Sequence, residues 1–257
     1  LSTIGWGVII VLVVALVIGG FWLADRQKKA NATDAVTLCP VEGPNGAMVA
    51  LLDLTDPLTR SQAKQLQTWL GDEIASSPRG VMLSVGVVSE DSSDWGARFA
   101  KCKPQTAEDA NPLIQNPSIV GETYNDEFLV PLHETLKKMM QSETQDTSPI
   151  MESLQALVSE TPNFTATRPR RLVIVSDMLQ NSDVLSFYRA EGWEYFTETR
   201  AHERLAGNLT DVEVTLLRIP RTSANIGDPR EVDTFWARYF DSQGTSAPFD
   251  IHNLGDL

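Results

Sequence analysis

The chain has 257 residues, 42% of them hydrophobic, and a formal net charge of -13. A surface that acidic repels phosphate backbones and anionic headgroups, which excludes nucleic acid as a natural partner. No Gly-rich phosphate loop, Gly-x-Ser-x-Gly elbow or His-Glu-x-x-His run occurs, so nucleotide, esterase and zinc-protease chemistries have no foothold.

The N-terminal stretch from Ile4 to Leu23 carries no charge. As a helix rising about 1.5 Å per residue it would span roughly 30 Å, the thickness of a bilayer's hydrocarbon core. Trp6 and Trp22 sit near its two ends, where interfacial aromatics belong. The run is longer than a signal-peptide core and lacks a convincing small-x-small cleavage site, so residues 1–25 read as a single-pass anchor in the cell inner membrane. Every charged side chain follows it. Arg26, Lys28 and Lys29 come directly after, and by the positive-inside rule they place the following domain in the cytoplasm. Cys39 and Cys102 are then expected as free thiols, whereas a disulfide between them would indicate an oxidising compartment.

Residues 26–47, polar and then broken by Pro40, Gly43, Pro44 and Gly46, read as a linker and turn. One α/β domain is expected over 48–257. Its first strand is Met48 to Leu54, an apolar run ending in a carboxylate. Thr59 with Gln62 forms a capping-box pattern, and Ala63, Leu66, Leu70 and Ile74 recur behind it at helical spacing. Val81 to Val88 suits a second buried strand, and Arg98 to Cys102 an edge strand with alternating charges. From Lys103 to Thr123, with Pro104, Pro112 and Pro117, the pattern predicts a long irregular loop suited to a partner.

Two helices follow, one carrying Phe128, Leu132, Leu136 and Met139, the next starting at Ser148-Pro149 with Ser148 as its N-cap. Leu172 to Val175 is a strand that stops at Ser176-Asp177. A helical region around Tyr195 to Leu205, a strand from Val212 to Ile219 and a last helix opening at Asp228-Pro229 complete the chain. The basic cluster Arg168, Arg170 and Arg171 is the solvated start of a strand. His133, His202 and His252 are scattered without ligand spacing. Strands alternating with helices argue for a doubly wound, mostly parallel sheet, whose functional groups gather beyond the carboxyl ends of its strands.

Three segments converge on that edge: Asp53-Leu54-Thr55-Asp56-Pro57-Leu58-Thr59, Thr147-Ser148-Pro149-Ile150 and Ser176-Asp177. In order and spacing they resemble the von Willebrand factor A fold, whose metal-ion-dependent adhesion site combines an Asp-x-Ser-x-Ser loop, a Thr from a second loop and an Asp after a later strand. The resemblance implies Asp53, Thr55, Ser148 and Asp177 as Mg²⁺ ligands, with Asp56 and Thr59 in partner binding. Pro57 stands where the family has a hydroxyl ligand, so a metal-free adhesion face is the competing form of the same site; Thr59 or Asp56 would have to compensate. Hydroxyls with one or two carboxylates suit Mg²⁺, which takes oxygen ligands and keeps several waters.

What this implies is a membrane-anchored interaction subunit, not an enzyme, docking protein partners of a larger membrane assembly through the strand-end face. The alternative is a metal-dependent phosphoryl hydrolase using Asp53 and Asp177. Haloacid-dehalogenase-like phosphatases need a second Asp two residues after the first, and here Thr55 occupies that place.

Overall fold

The computed structural model describes residues 3–30, 32–141, 144–221, 229–246 and 250–255, and within its first helix the side chains of 6, 11–22, 25 and 26. That helix, α1 (Thr3–Ala30), contains the whole uncharged run, part of which falls on side chains outside the described residues. Among the described residues no helix is long and apolar enough to cross a membrane. Among the side chains that are described, Val11, Leu16 and Phe21 are exposed.

Six strands, β1 (Gly46–Leu52), β2 (Val81–Val87), β3 (Phe99–Cys102), β4 (Arg170–Ser176), β5 (Val212–Arg218) and β6 (Asp250–Asn253), form one sheet in the order β3-β2-β1-β4-β5-β6. All pairs are parallel except β2 with β3. This mixed α/β architecture is the one the sequence implied. Alternation along the central strands divides the core into two layers. Met48, Ala50 and Leu52 face α2 (Arg60–Ser76), whose Leu66, Leu70 and Ile74 they meet together with Phe128 and Leu132. Val49, Leu51, Leu172 and Ile174 face the other way, toward Leu154 and Leu157 of α5 (Ile150–Glu160) and Phe235, Trp236 and Tyr239 of α8 (Pro229–Ser242).

Several elements differ from expectation. The loop after β3 is shorter, because Asn116 accepts from the Ser118 amide and opens α3 (Pro117–Tyr124), which continues through a π turn into α4 (Val130–Met139). The region after Trp193 is two short helices, α6 (Trp193–Glu198) and α7 (Ala201–Arg204). Asp228, expected at the start of α8, lies outside the described residues. Strand β6 had no hydrophobic signal, since all four of its residues are exposed and among the described residues it pairs with β5 alone.

The expectation of free thiols is corrected: Cys39 and Cys102 are joined in a disulfide. Both are buried, and Cys102 donates its amide to the Thr37 carbonyl. Leu38 is buried too, and Asp34 accepts from the amides of Val36 and Thr37. The stretch read as linker therefore packs on the sheet at the edge where β1, β2 and β4 begin. Asn45 bonds Gly80 and Ala47 bonds Pro169 there. Strands of seven residues at about 3.3 Å each separate this edge from the opposite one by roughly 20 Å.

Candidate functional site

At the far edge the chain leaves β1 at Leu52 and delivers Asp53, whose amide donates to the Val175 carbonyl of β4. The Asp53 carboxylate is only 5% exposed and is the hub of a hydroxyl network. Its Oδ1 accepts from the Thr55 hydroxyl at 2.7 Å, and its Oδ2 from Ser176 at 2.7 Å and Ser148 at 3.0 Å. Three segments distant in sequence are thus tied to one carboxylate, and each hydroxyl that donates to it keeps its oxygen lone pairs for another partner.

Ser148 is not a helix cap, which corrects the sequence reading. The cap position of α5 is Pro149, without a side-chain bond, and the Met151 amide is instead met by the buried Gln180 Oε1 at 3.0 Å. This frees Ser148 to turn toward Asp53. Its backbone is held by reciprocal bonds with Asn181, 2.8 and 2.9 Å. The preceding loop is clamped by Glu90, whose carboxylate accepts from the amides of Asp146 and Thr147, while Gln145 donates its amide to the Thr55 carbonyl.

Asp177 arrives at the end of β4. The next residue, Met178, adopts a left-handed φ of 66°, which costs a non-glycine residue about 1–2 kcal/mol. That bend is overdetermined: the Met178 amide donates to Ser176 Oγ at 2.7 Å and its carbonyl accepts from Trp236 Nε1 at 2.8 Å. Burial, and then the negative charge of Asp53, push the Asp177 carboxyl up to about 6, against the pull of the Leu179 amide and of Arg221. Tyr188, nearby, is raised by burial and by the same carboxylates.

Thr55, Asp56, Ser148, Asp177, Asn181 and Tyr188 help line a pocket of about 250 Å³. Asp53 is absent from its wall; it lies beneath, as the acceptor that orients the hydroxyls. Of the residues expected in partner binding, Asp56 is exposed at the rim, but Thr59 is committed elsewhere. Its hydroxyl accepts from the Gln62 amide and Gln62 returns the bond, so the residue caps α2 and does not compensate for Pro57 as expected. Ser176 and Gln180 were missed as site residues, because a Ser inside an apolar strand and a Gln beyond it carry no pattern of their own.

Among the described residues no group of three or more His, Cys, Asp or Glu is placed to hold a metal. The donors here are of another kind: two hydroxyls already oriented by a buried carboxylate, and a second carboxylate held back from ionising by burial and then by a like charge. That all-oxygen set fits a hard divalent cation, which would relieve the repulsion between Asp53 and Asp177.

No family model matches the sequence, and no curated protein matches it. Among solved structures the chain is similar to an aerotolerance-related membrane protein from Bacteroides fragilis NCTC 9343 with multiple mutations to serines. The likeness has a TM-score of 0.36 and 10% identity, covering 82% of this chain and 91% of that one.

Proposed function

We propose that this chain is a membrane-anchored protein-interaction subunit whose strand-end face docks an acidic group of a partner protein. The observation that carries the reading is the arrangement of Thr55, Ser148 and Asp177 around one pocket, with Asp53 buried behind them. A Mg²⁺ ion there would be held by Thr55, Ser148 and Asp177, with Asp53 orienting the two hydroxyls. Such an ion would supply a positive charge to which a partner carboxylate could bind. The hydrolase alternative asks Asp53 to attack a phosphoryl group, yet both its oxygens are occupied by hydroxyl donors and it does not reach the pocket wall.

The anchor is supported by the uncharged 20-residue run and by apolar side chains exposed around the described part of α1. A helix apolar on all sides needs an apolar surrounding, and none is provided among the described residues. Arg26 lies 5.0 Å over the Trp22 ring at the end of the run, an aromatic and a cation as found at membrane interfaces. The disulfide favours the oxidising side of the membrane for the domain, against the basic flank, which argued for the cytoplasm. Because the anchor joins at the edge where the strands begin, the docking face lies at the end of the domain away from that junction.

Co-purification of the full chain from membranes in mild detergent tests this. A protein partner recovered with the wild type, and lost with Ser148→Ala, is the expected result; a chain that purifies alone from every detergent would refute it.

A further inference from the structure

The edge of the sheet where the strands begin carries large apolar side chains on its outside. Leu113 is 90% exposed in the loop after β3, with Ile114 exposed beside it, and Val36 and Val41 are 75% and 73% exposed in the stretch between α1 and β1. Polar groups of each turn hold these tips outward. Asp34 accepts from the Val36 and Thr37 amides and from the Thr37 hydroxyl, which leaves the Val36 side chain at the tip. Asn111 accepts from the Leu113 amide with its side chain and from the Ile114 and Gln115 amides with its carbonyl, while Gln105 and Gln115 exchange side-chain bonds. Amides met inside the turn let an apolar tip leave water without orphaning the backbone. The two turns belong to one surface. The Cys102 amide donates to the Thr37 carbonyl, the disulfide joins Cys39 to Cys102, and Cys102 stands opposite Met82 near the start of β2. The chain turns back along the sheet only after Leu113 and Ile114, through α3 to Phe128, whose ring packs 5.6 Å from that of Phe99.

We propose that this edge rests on a neutral lipid surface, with Leu113, Ile114, Val36 and Val41 entering the membrane interface. The inference rests on the anchor reading above, because α1 is what brings a bilayer to this edge. The helix ends at Ala30 and the chain is back in the fold at the bridge between Thr33 and Pro40, so the gap is at most about 11 Å of extended chain. From Leu23, the end of the uncharged run, to Ala30 the helix rises about 10 Å, which sets the edge at headgroup level and makes the contact shallow. Taking aliphatic side chains out of water there is favourable and asks for no partner of matching shape. Glu42 and Glu108 are exposed in the same two segments and disfavour anionic headgroups, which is why the surface is a neutral one. A second point of contact beside α1 also stops the domain from swinging on its tether and holds the strand-end face away from the membrane.

The test uses the full chain reconstituted in phosphatidylcholine vesicles, with a fluorescent amino acid replacing Leu113, Leu12 of α1 or Asp56 of the strand-end face, one at a time. Acyl chains brominated near the glycerol or near the methyl end serve as shallow and deep quenchers. Position 113 should lose about a third of its emission to shallow bromines and less to deep ones, and position 56 should keep its emission. Adding Ile114→Glu should cut the loss at position 113 about twofold, since a charge resists entering the interface. No quenching at position 113, in a protein that melts as the wild type does, overturns the proposal, and so does quenching equal to that at position 56. Position 12 reports on the anchor separately. If it is quenched and position 113 is not, the anchor stands and the contact of the edge fails; if it is not quenched, the anchor reading fails and position 113 still decides the contact by its own signal. A label at Val36 is the second site, which decides in the same way if the variant at 113 does not fold. In native membranes, a photoreactive residue at 113 should form lipid adducts, and a discrete protein crosslink in their place would overturn the proposal by assigning the edge to a protein.

Discussion

Replacing Asp53 by alanine removes the acceptor on which the site is assembled, and the structure gives a magnitude. Three hydroxyls donate to this buried carboxylate, from Thr55, Ser176 and Ser148. At the lower end of the range for hydrogen bonds to a charged group, about 1.5 kcal/mol each, their loss costs about 4.5 kcal/mol. One term opposes this. The Asp177 carboxyl is raised from 3.8 to about 6, which at 1.36 kcal/mol per unit is about 3 kcal/mol of disfavoured ionisation at neutral pH. Burial is the larger cause and Asp53 the second, so removing Asp53 returns only about 1 kcal/mol. The net loss is then about 3.5 kcal/mol, or a fall of about 10 °C in melting temperature for a domain of this size. Urea denaturation of the wild type and Asp53→Ala at pH 7 in EDTA measures it. A loss below about 1 kcal/mol would show that the hydroxyls do not depend on Asp53, and the account of the site would fail.

Two further outcomes follow from the same geometry. Asp177 is protonated more readily in the folded than in the unfolded chain, so its contribution to stability is fully present below pH 4 and is lost as pH rises through about 6. The difference in stability between the wild type and Asp177→Asn should therefore change across that window and be flat above pH 7.5; a difference independent of pH between 4 and 7.5 would contradict it. The disulfide closes a loop with a sequence separation of 63, for which the chain-entropy relation gives about 4 kcal/mol. Cys39→Ala with Cys102→Ala should lower stability by that order, and the wild-type cysteines should resist alkylation in freshly isolated membranes; ready alkylation without reductant would return the domain to a reducing compartment.

What the sequence revealed and what it hid have physical reasons. Strands β1, β2, β4 and β5 were visible because each is buried over most or all of its length and so is dominated by apolar residues. The capping box at Thr59 and Gln62 was visible because its two bonds are local. Contacts between distant segments were not. The pairing of Cys39 with Cys102 was left open between two states, and the flanking basic residues favoured the wrong one. Ser148 followed by Pro149 matches a helix start by every local rule, yet Gln180, thirty positions downstream of α5's first residue, takes over the capping and releases the serine to Asp53. The carboxylates were legible as strand-end residues, but the division between Asp53 as a buried acceptor and Asp177 as a pocket residue required the burial of each to be known. Strand β6 escaped because an exposed, four-residue parallel edge strand leaves no alternation to read.

The central claim is that docking takes place at the strand-end face, and site-specific photo-crosslinking in intact membranes addresses it most directly. A photoreactive residue replacing Asp56, exposed at the rim of the pocket, is compared with one replacing Leu113, which is 90% exposed in the loop after β3. The account predicts a discrete protein crosslink from position 56 that disappears when Thr55→Val is added, and none from position 113. A crosslink from position 113 alone, indifferent to Thr55→Val, would contradict it.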